Sequence, residues 1–293
     1  MSGGTHTGVM KHIGDALREE STAVCLGIAT WGVINNRDKL LPVPNEPSKR
    51  IFPYHVGSWL KVKPRNTYLD PNHTHFLLVD HDKEEFGGEI AFRADFERYV
   101  KEKCKIPFVL VVLNGGPGTF ETVYETVTKG KGFPVVLIKG SGRVADLLAD
   151  MVADQTSLHH KKLLVELRKN VCNFDEKYEA CVKQKHLFSV ARKEEREGMK
   201  SATMRALLSG TEGVGGTMSA FEYLRLALIW NHPDIVRSEI PISQPEKFLC
   251  GSDTTKCTGA LLEEKRRISF DELDHLLVMA LARGNTEFTR YGS

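Results

Sequence analysis

The stretch "VVLNGGPGTFETVYETV", residues 111–127, decides the fold. Apolar strand-forming residues run into Gly115-Gly116, after which Phe120, Val123, Tyr124 and Val127 recur at helical spacing. A strand, a glycine turn and an amphipathic helix in that order make one βα unit. The unit repeats on both sides. The candidate strands are Val24–Ala29, His75–Val79, Phe108–Leu113 and Pro134–Ile138. Helical stripes stand between and after them at Val9, Ile13, Leu17, at Phe92, Phe96, Tyr99, Val100, and at Val144, Leu147, Leu148, Met151. This alternation predicts an α/β, Rossmann-like domain with a mainly parallel sheet over residues 1–155.

One long irregular segment, Trp31–Tyr68, carries five prolines and interrupts the alternation, as functional or interface loops do. Beyond about residue 155 the strand signals stop. Helical patterns follow at Leu163–Leu167, Tyr178–Val190, Met204–Leu208, Phe221–Trp230 and Leu273–Leu281, with "SGTEGVGGTMS" at 209–219 as a flexible insertion. They predict an all-α helical-repeat (solenoid) domain over residues 156–293.

Composition narrows the function. Formal net charge is only +2, and the densest basic cluster, Lys265-Arg266-Arg267, is too short to bind a polyanion alone, so nucleic acid is a poor partner. No segment approaches the roughly 20 apolar residues of a membrane helix. The six cysteines form no C-x-x-C pair and read as free thiols of a reducing compartment. His73 and His75 lack a matching ligand set, so no metal or cofactor is expected.

Four times a glycine turn opens a helix: "SGGTHTG", "EEFGGEIAFR", "NGGPGTFE" and "KGSGRVAD". In a parallel sheet such turns emerge at the carboxyl edge, where free N–H groups and positive dipole ends face one crevice suited to an anion. The hydroxyls of Thr5, Thr119 and Ser141 can cap a helix or meet a phosphate. "GSGRVA" at 140–145 fits G-x-G-x-x-A, but no later strand with an acidic residue follows it, which argues against a standard dinucleotide site. Arg93 and Arg143 are placed to fork a diphosphate. Arg93 is also spaced to pair with Glu89 on its own helix. Phe86 can stack on a base or anchor its loop.

"GGTHTGVMKHIGDALRE", "LGIATWGVINNRDKL", "HFLLVD", "FGGEIAFRADFERYV", "VVLIKGSGRVADLLADMV" and "YLRLALIWNHPDIVRSEI", in that order, resemble the N-terminal cytosolic homology region of the melastatin-type transient receptor potential cation channels. The likeness runs with gaps from Gly3 to about Arg290. It implies a fragment truncated at both ends. That fragment would be a Rossmann-like domain of the SLOG superfamily, which also holds the LOG-type hydrolases, followed by a helical solenoid without its pore. It further implies the cytoplasmic face of a membrane channel, neighbouring subunits of a homotetramer as partners, and ADP-ribose or a related adenine nucleotide as ligand. The contact positions it implies include Phe86, where a tyrosine is usual, and Arg93 and Arg143; with Gly4, Thr5, Gly115, Gly116 and Gly142 of the glycine turns they make up the candidate ligand site.

"GGPGT" also resembles the G-G-x-G-T-x-x-E motif of the LOG-type hydrolases, whose glutamate serves glycosidic cleavage. Here that position is Thr122, and Glu121 lies one residue early. One residue turns a helical side chain by about 100°, so no enzyme activity is expected. A soluble nucleotide hydrolase and a pure interaction module are the alternative readings.

Overall fold

The structure, a computed structural model, describes residues 1–18, 23–41, 54–57, 66–104, 106–129, 133–155 and 158–209, with positions 225, 227, 228, 278 and 279. Five parallel strands run through it. Strands β1 (Leu26–Thr30) and β2 (His75–Val79) pair with each other, and Ser2 adds a single parallel bridge to Gly27 on the other edge of β1. Strands β3 (Leu110–Val112), β4 (Val135–Lys139) and β5 (Phe188–Arg192) form a second sheet with β4 in the middle. The helices are α1 (Gly8–Arg18), α2 (Ile90–Cys104), α3 (Pro117–Lys129), α4 (Arg143–Val152), α5 (Lys161–Asn170), α6 (Phe174–Lys183) and α7 (Arg196–Ser209).

β4 shows why the second sheet is parallel. Its Val-Val-Leu-Ile run is buried on both faces, the pattern of a strand with helices above and below. On one face Val135 and Leu137 meet Val112 and Phe188, and α3, α4, α5 and α6 close over them with Phe120, Val144, Leu148, Leu167 and Phe174. On the other face Val136 and Ile138 meet Ala191, and α7 covers them through Ala206, Met199 and Ala202. Phe120 has no exposed surface, and its ring centroid lies 4.8 Å from that of Phe174. Burial of such a ring stabilises by roughly 2–3 kcal/mol. Pro117 fits the start of α3 because its missing N–H is one the helix would leave unpaired.

The strands predicted in the first half sit within about two residues of their observed positions. Strands do not stop near residue 155, however. β5 pairs with β4 from Val135↔Phe188 to Lys139↔Arg192, so the helix expected over Tyr178–Val190 ends at Lys183 and gives way to a strand. Within Trp31–Tyr68, the described residues hold two short 3-10 turns, Trp31–Val33 and Arg37–Leu40. The expectations for 209–219, Phe221–Trp230 and Leu273–Leu281 fall almost wholly outside the described residues.

Candidate ligand-binding crevice

Two of the four glycine turns are stitched into one unit. β3 ends into Asn114-Gly115-Gly116 and β4 into Gly140-Ser141-Gly142. The backbone N–H of Asn114 donates to Ser141 Oγ at 2.8 Å, and Asn114 Nδ2 donates to the Ser141 carbonyl at 3.0 Å. Gly115 N–H donates to Asn114 Oδ1 at 2.8 Å, and Ala145 N–H, from α4, donates to the Asn114 carbonyl at 3.0 Å. The Ser141 hydroxyl donates to the Ile138 carbonyl at 2.6 Å, so it staples the turn.

This geometry needs left-handed backbone on both sides. Gly115 and Gly142 have φ of 98° and 97°, and Asn114 and Arg143 have φ of 54° and 52°. Asparagine tolerates that region through local hydrogen bonds, as the Asn114 side chain makes here. Arginine has no such compensation, and its placement costs about 1 kcal/mol or more.

Arg143 folds back across the facing turn. Its Nε donates to the Gly115 carbonyl at 2.9 Å, and its Nη2 donates to Glu166 of α5 at 2.7 Å. A Cβ on Gly116 would lie 3.1 Å from that Nη2, so the glycine leaves room for the guanidinium. The group is therefore no isolated helix-start cation.

The start of α2 adjoins this unit, since a Cβ on Gly118 would meet Ile90 at 3.9 Å. Gly87 N–H donates to Glu89 at 3.2 Å, and the Thr30 hydroxyl at the end of β1 donates to the same carboxylate. Gly88 is small for a packing reason: a Cβ there would sit 2.3 Å from the His81 ring. Phe86 projects from the loop 58% exposed. Arg93 Nε pairs with Glu97 at 2.8 Å, which corrects the expected partner Glu89.

The N-terminal turn is built otherwise. Gly4, with φ of 64°, lies against Gly27 of β1, where a Cβ would stand 2.7 Å from its Cα. The buried Thr5 hydroxyl is turned to Thr7 at 3.0 Å and to the Met10 sulfur at 3.5 Å. A fully buried carboxylate anchors the turn. Asp70 meets His6 Nδ1 at 2.7 Å and His73 Nδ1 at 2.8 Å, and accepts the Asn72 N–H at 3.2 Å. The other nitrogen of His73 meets Ser2 Oγ at 2.6 Å.

Gly115, Gly116, Gly142 and Arg143 thus form one contiguous cluster. Phe86 precedes the neighbouring α2 and Arg93 lies within it, while Gly4 packs on β1 and Thr5 bridges to Leu69. Asn114 and Glu166 were missed from the sequence. Asn114 carried a signal, an asparagine before two glycines at a strand end; Glu166 carried none.

α1 and α3 have no acidic residue in their first turns, whereas the Glu89 carboxylate stands at the start of α2. Glu121 faces away from the crevice: Lys177 of α6 donates to both its oxygens at 2.7 Å, and the Thr122 hydroxyl bonds back to the Gly118 carbonyl at 2.9 Å. A separate cleft of about 380 Å³ opens between α4, α5 and α6, lined by Leu147, Met151, Leu164, Phe174 and Tyr178 with Asp150 at its edge. Burial raises the Asp150 carboxyl, but hydrogen bonds from Lys139 and His160 outweigh that and hold it below its usual range.

The family described as "SLOG in TRPM" matches residues 1–192. Among similar curated proteins, transient receptor potential cation channel subfamily M member 2 of Rattus norvegicus is 35% identical over 275 residues, covering 82% of this chain and 18% of that protein. A transient receptor potential channel of Caenorhabditis elegans is 33% identical, covering 82% of this chain and 12% of its own length. Subfamily M member 7 of Rattus norvegicus is 30% identical over 93% of this chain and 15% of its own length. The chain thus spans less than a fifth of the relatives it matches. With its Rossmann-like α/β layer and a family match running from Met1 to the end of β5, the chain belongs to the SLOG family of the melastatin-type (TRPM) channels.

Proposed function

We propose that this chain is the cytosolic nucleotide-sensing and assembly region of a calcium-permeable melastatin-type channel at the plasma membrane. Its ligand is ADP-ribose or a related adenine nucleotide, and its protein partners are the neighbouring subunits of a homotetramer. Among the described residues no helix is long and apolar enough to cross a membrane. In this reading the α/β layer runs through β5 and α7, which packs on β4, and the helical repeats lie beyond it.

The observation that carries the reading is the stitched pair of glycine turns with the Arg143 guanidinium laid across Gly115 and Gly116. It sets a fixed cation beside the open N-terminus of α3, an arrangement suited to a diphosphate. The relatives are named as cation channels, and Glu121 is committed to Lys177, so binding without turnover is the preferred reading.

Titration calorimetry of ADP-ribose and adenosine, with product analysis, tests it. ADP-ribose binds intact and adenosine binds far more weakly; equal affinities would remove the phosphate cradle, and released adenine would restore the hydrolase. Arg143→Ala weakens ADP-ribose by about tenfold to a hundredfold, the equivalent of about 1.5–3 kcal/mol for a hydrogen bond to a charged group. Arg143→Lys recovers part of that loss, because an ammonium cannot form the fork. Unchanged affinity in Arg143→Ala would favour a pure interaction module.

A further inference from the structure

We infer that Glu166 is a built-in competitor for the anion of this crevice, holding the Arg143 guanidinium until a ligand displaces it. The inference rests on the reading of the crevice as a nucleotide site. Arg143 uses one edge on the Gly115 carbonyl and offers Nη2 to Glu166 at 2.7 Å. That same Nη2 lies over Gly116, one residue before α3 begins, so it stands beside the N-terminal end of α3. A phosphate seated on α3 and held by Arg143 needs it. Glu166 already places a carboxylate there, and two anions on one guanidinium edge repel each other.

The exchange is easy. The side chains of Arg143 and Glu166 are 45% and 38% exposed, so their attraction is screened by water. α5 itself is fixed by Leu163 and Leu167 in the core, and the Glu166 carbonyl accepts from Asn170 Nδ2 at 2.7 Å. Glu166 can therefore leave by rotating its side chain, with the helix staying in place. Its effect is to lower affinity, as a tethered anion always present at the site.

The test is titration of ADP-ribose into the wild type, Glu166→Gln, Arg143→Ala and the double variant, with thermal unfolding as a check on folding. Glu166→Gln binds about two- to fivefold more tightly than wild type, the size of one exposed ion pair. The gain vanishes in the Arg143→Ala background, which separates competition at the guanidinium from a general change of surface charge. Equal or weaker binding by Glu166→Gln overturns the competitor role and leaves the nucleotide reading standing. A gain that persists without Arg143 also overturns it. If neither wild type nor Glu166→Gln binds, the nucleotide reading fails and the competitor role fails with it.

Discussion

The sheet of β3, β4 and β5 and the pair of β1 and β2 hold their glycine turns by different means. Around β4, apolar residues from four helices fill one face and α7 fills the other, so the stitched turns at 114–116 and 140–143 rest on a dry base. Around β1 the apolar cluster among the described residues is small, centred on Ala29, Val33, Ile34 and Leu69, and the turn at 2–6 is tied down by the Asp70 carboxylate with His6 and His73. An apolar base loses stability in proportion to the volume removed from it. A buried ionisable hub loses it all at once when one group goes.

The largest test of this contrast is Phe120→Ala, which removes a fully buried ring touching α6. It costs about 3–5 kcal/mol in denaturant unfolding, spread over the whole β3–β5 half. Asp70→Asn is next, at about 2–3 kcal/mol, since one imidazole or the Asn72 N–H is left buried without its acceptor. Hydrogen exchange should place that loss at residues 2–18 and 26–30 and leave 135–139 protected. Loss of protection across both sheets would show instead that the two halves unfold as one unit.

Lys101→Met has the smallest effect and the opposite sign. Among the described residues the Lys101 ammonium has no hydrogen-bond partner and lies 4.4 Å from the Phe133 ring centroid, and burial lowers its pKa. A base with a lowered folded pKa destabilises while it is charged in the fold, and the cost fades as pH rises through the folded value toward that of the unfolded chain. Lys101→Met therefore gains about 1 kcal/mol at neutral pH and less in alkaline solution, read from chemical unfolding at several pH values. A destabilised variant would show that the contact with Phe133 outweighs the burial.

The first four strands were legible because each is a short apolar run bounded by turn residues, and their order alone implied the parallel arrangement. β5 was not. Tyr178, Val182 and Leu187 keep an approximately helical rhythm into it, so the alternation of Phe188 and Val190 with Ser189 read as one more helical turn. In the site, glycines and arginines could be named from local chemistry. Glu166 could not, because it meets Arg143 only through the packing of α5. The Asp70 hub was hidden in the same way, as His6 and Asp70 are 64 positions apart.

β4 has two neighbours that arrive at very different times. β3 precedes it, but β5 follows only after α4, α5 and α6, roughly fifty residues later, which at ribosomal speeds is roughly 2 to 10 seconds of synthesis. Through that interval Val135–Ile138, an apolar run buried on both faces in the finished fold, carries one unpaired edge beside a growing chain. A polypeptide cut at residue 155 would keep that edge open permanently. The three helices between β4 and β5, which pack on one face of β4 in the finished fold, are all synthesised before that last partner.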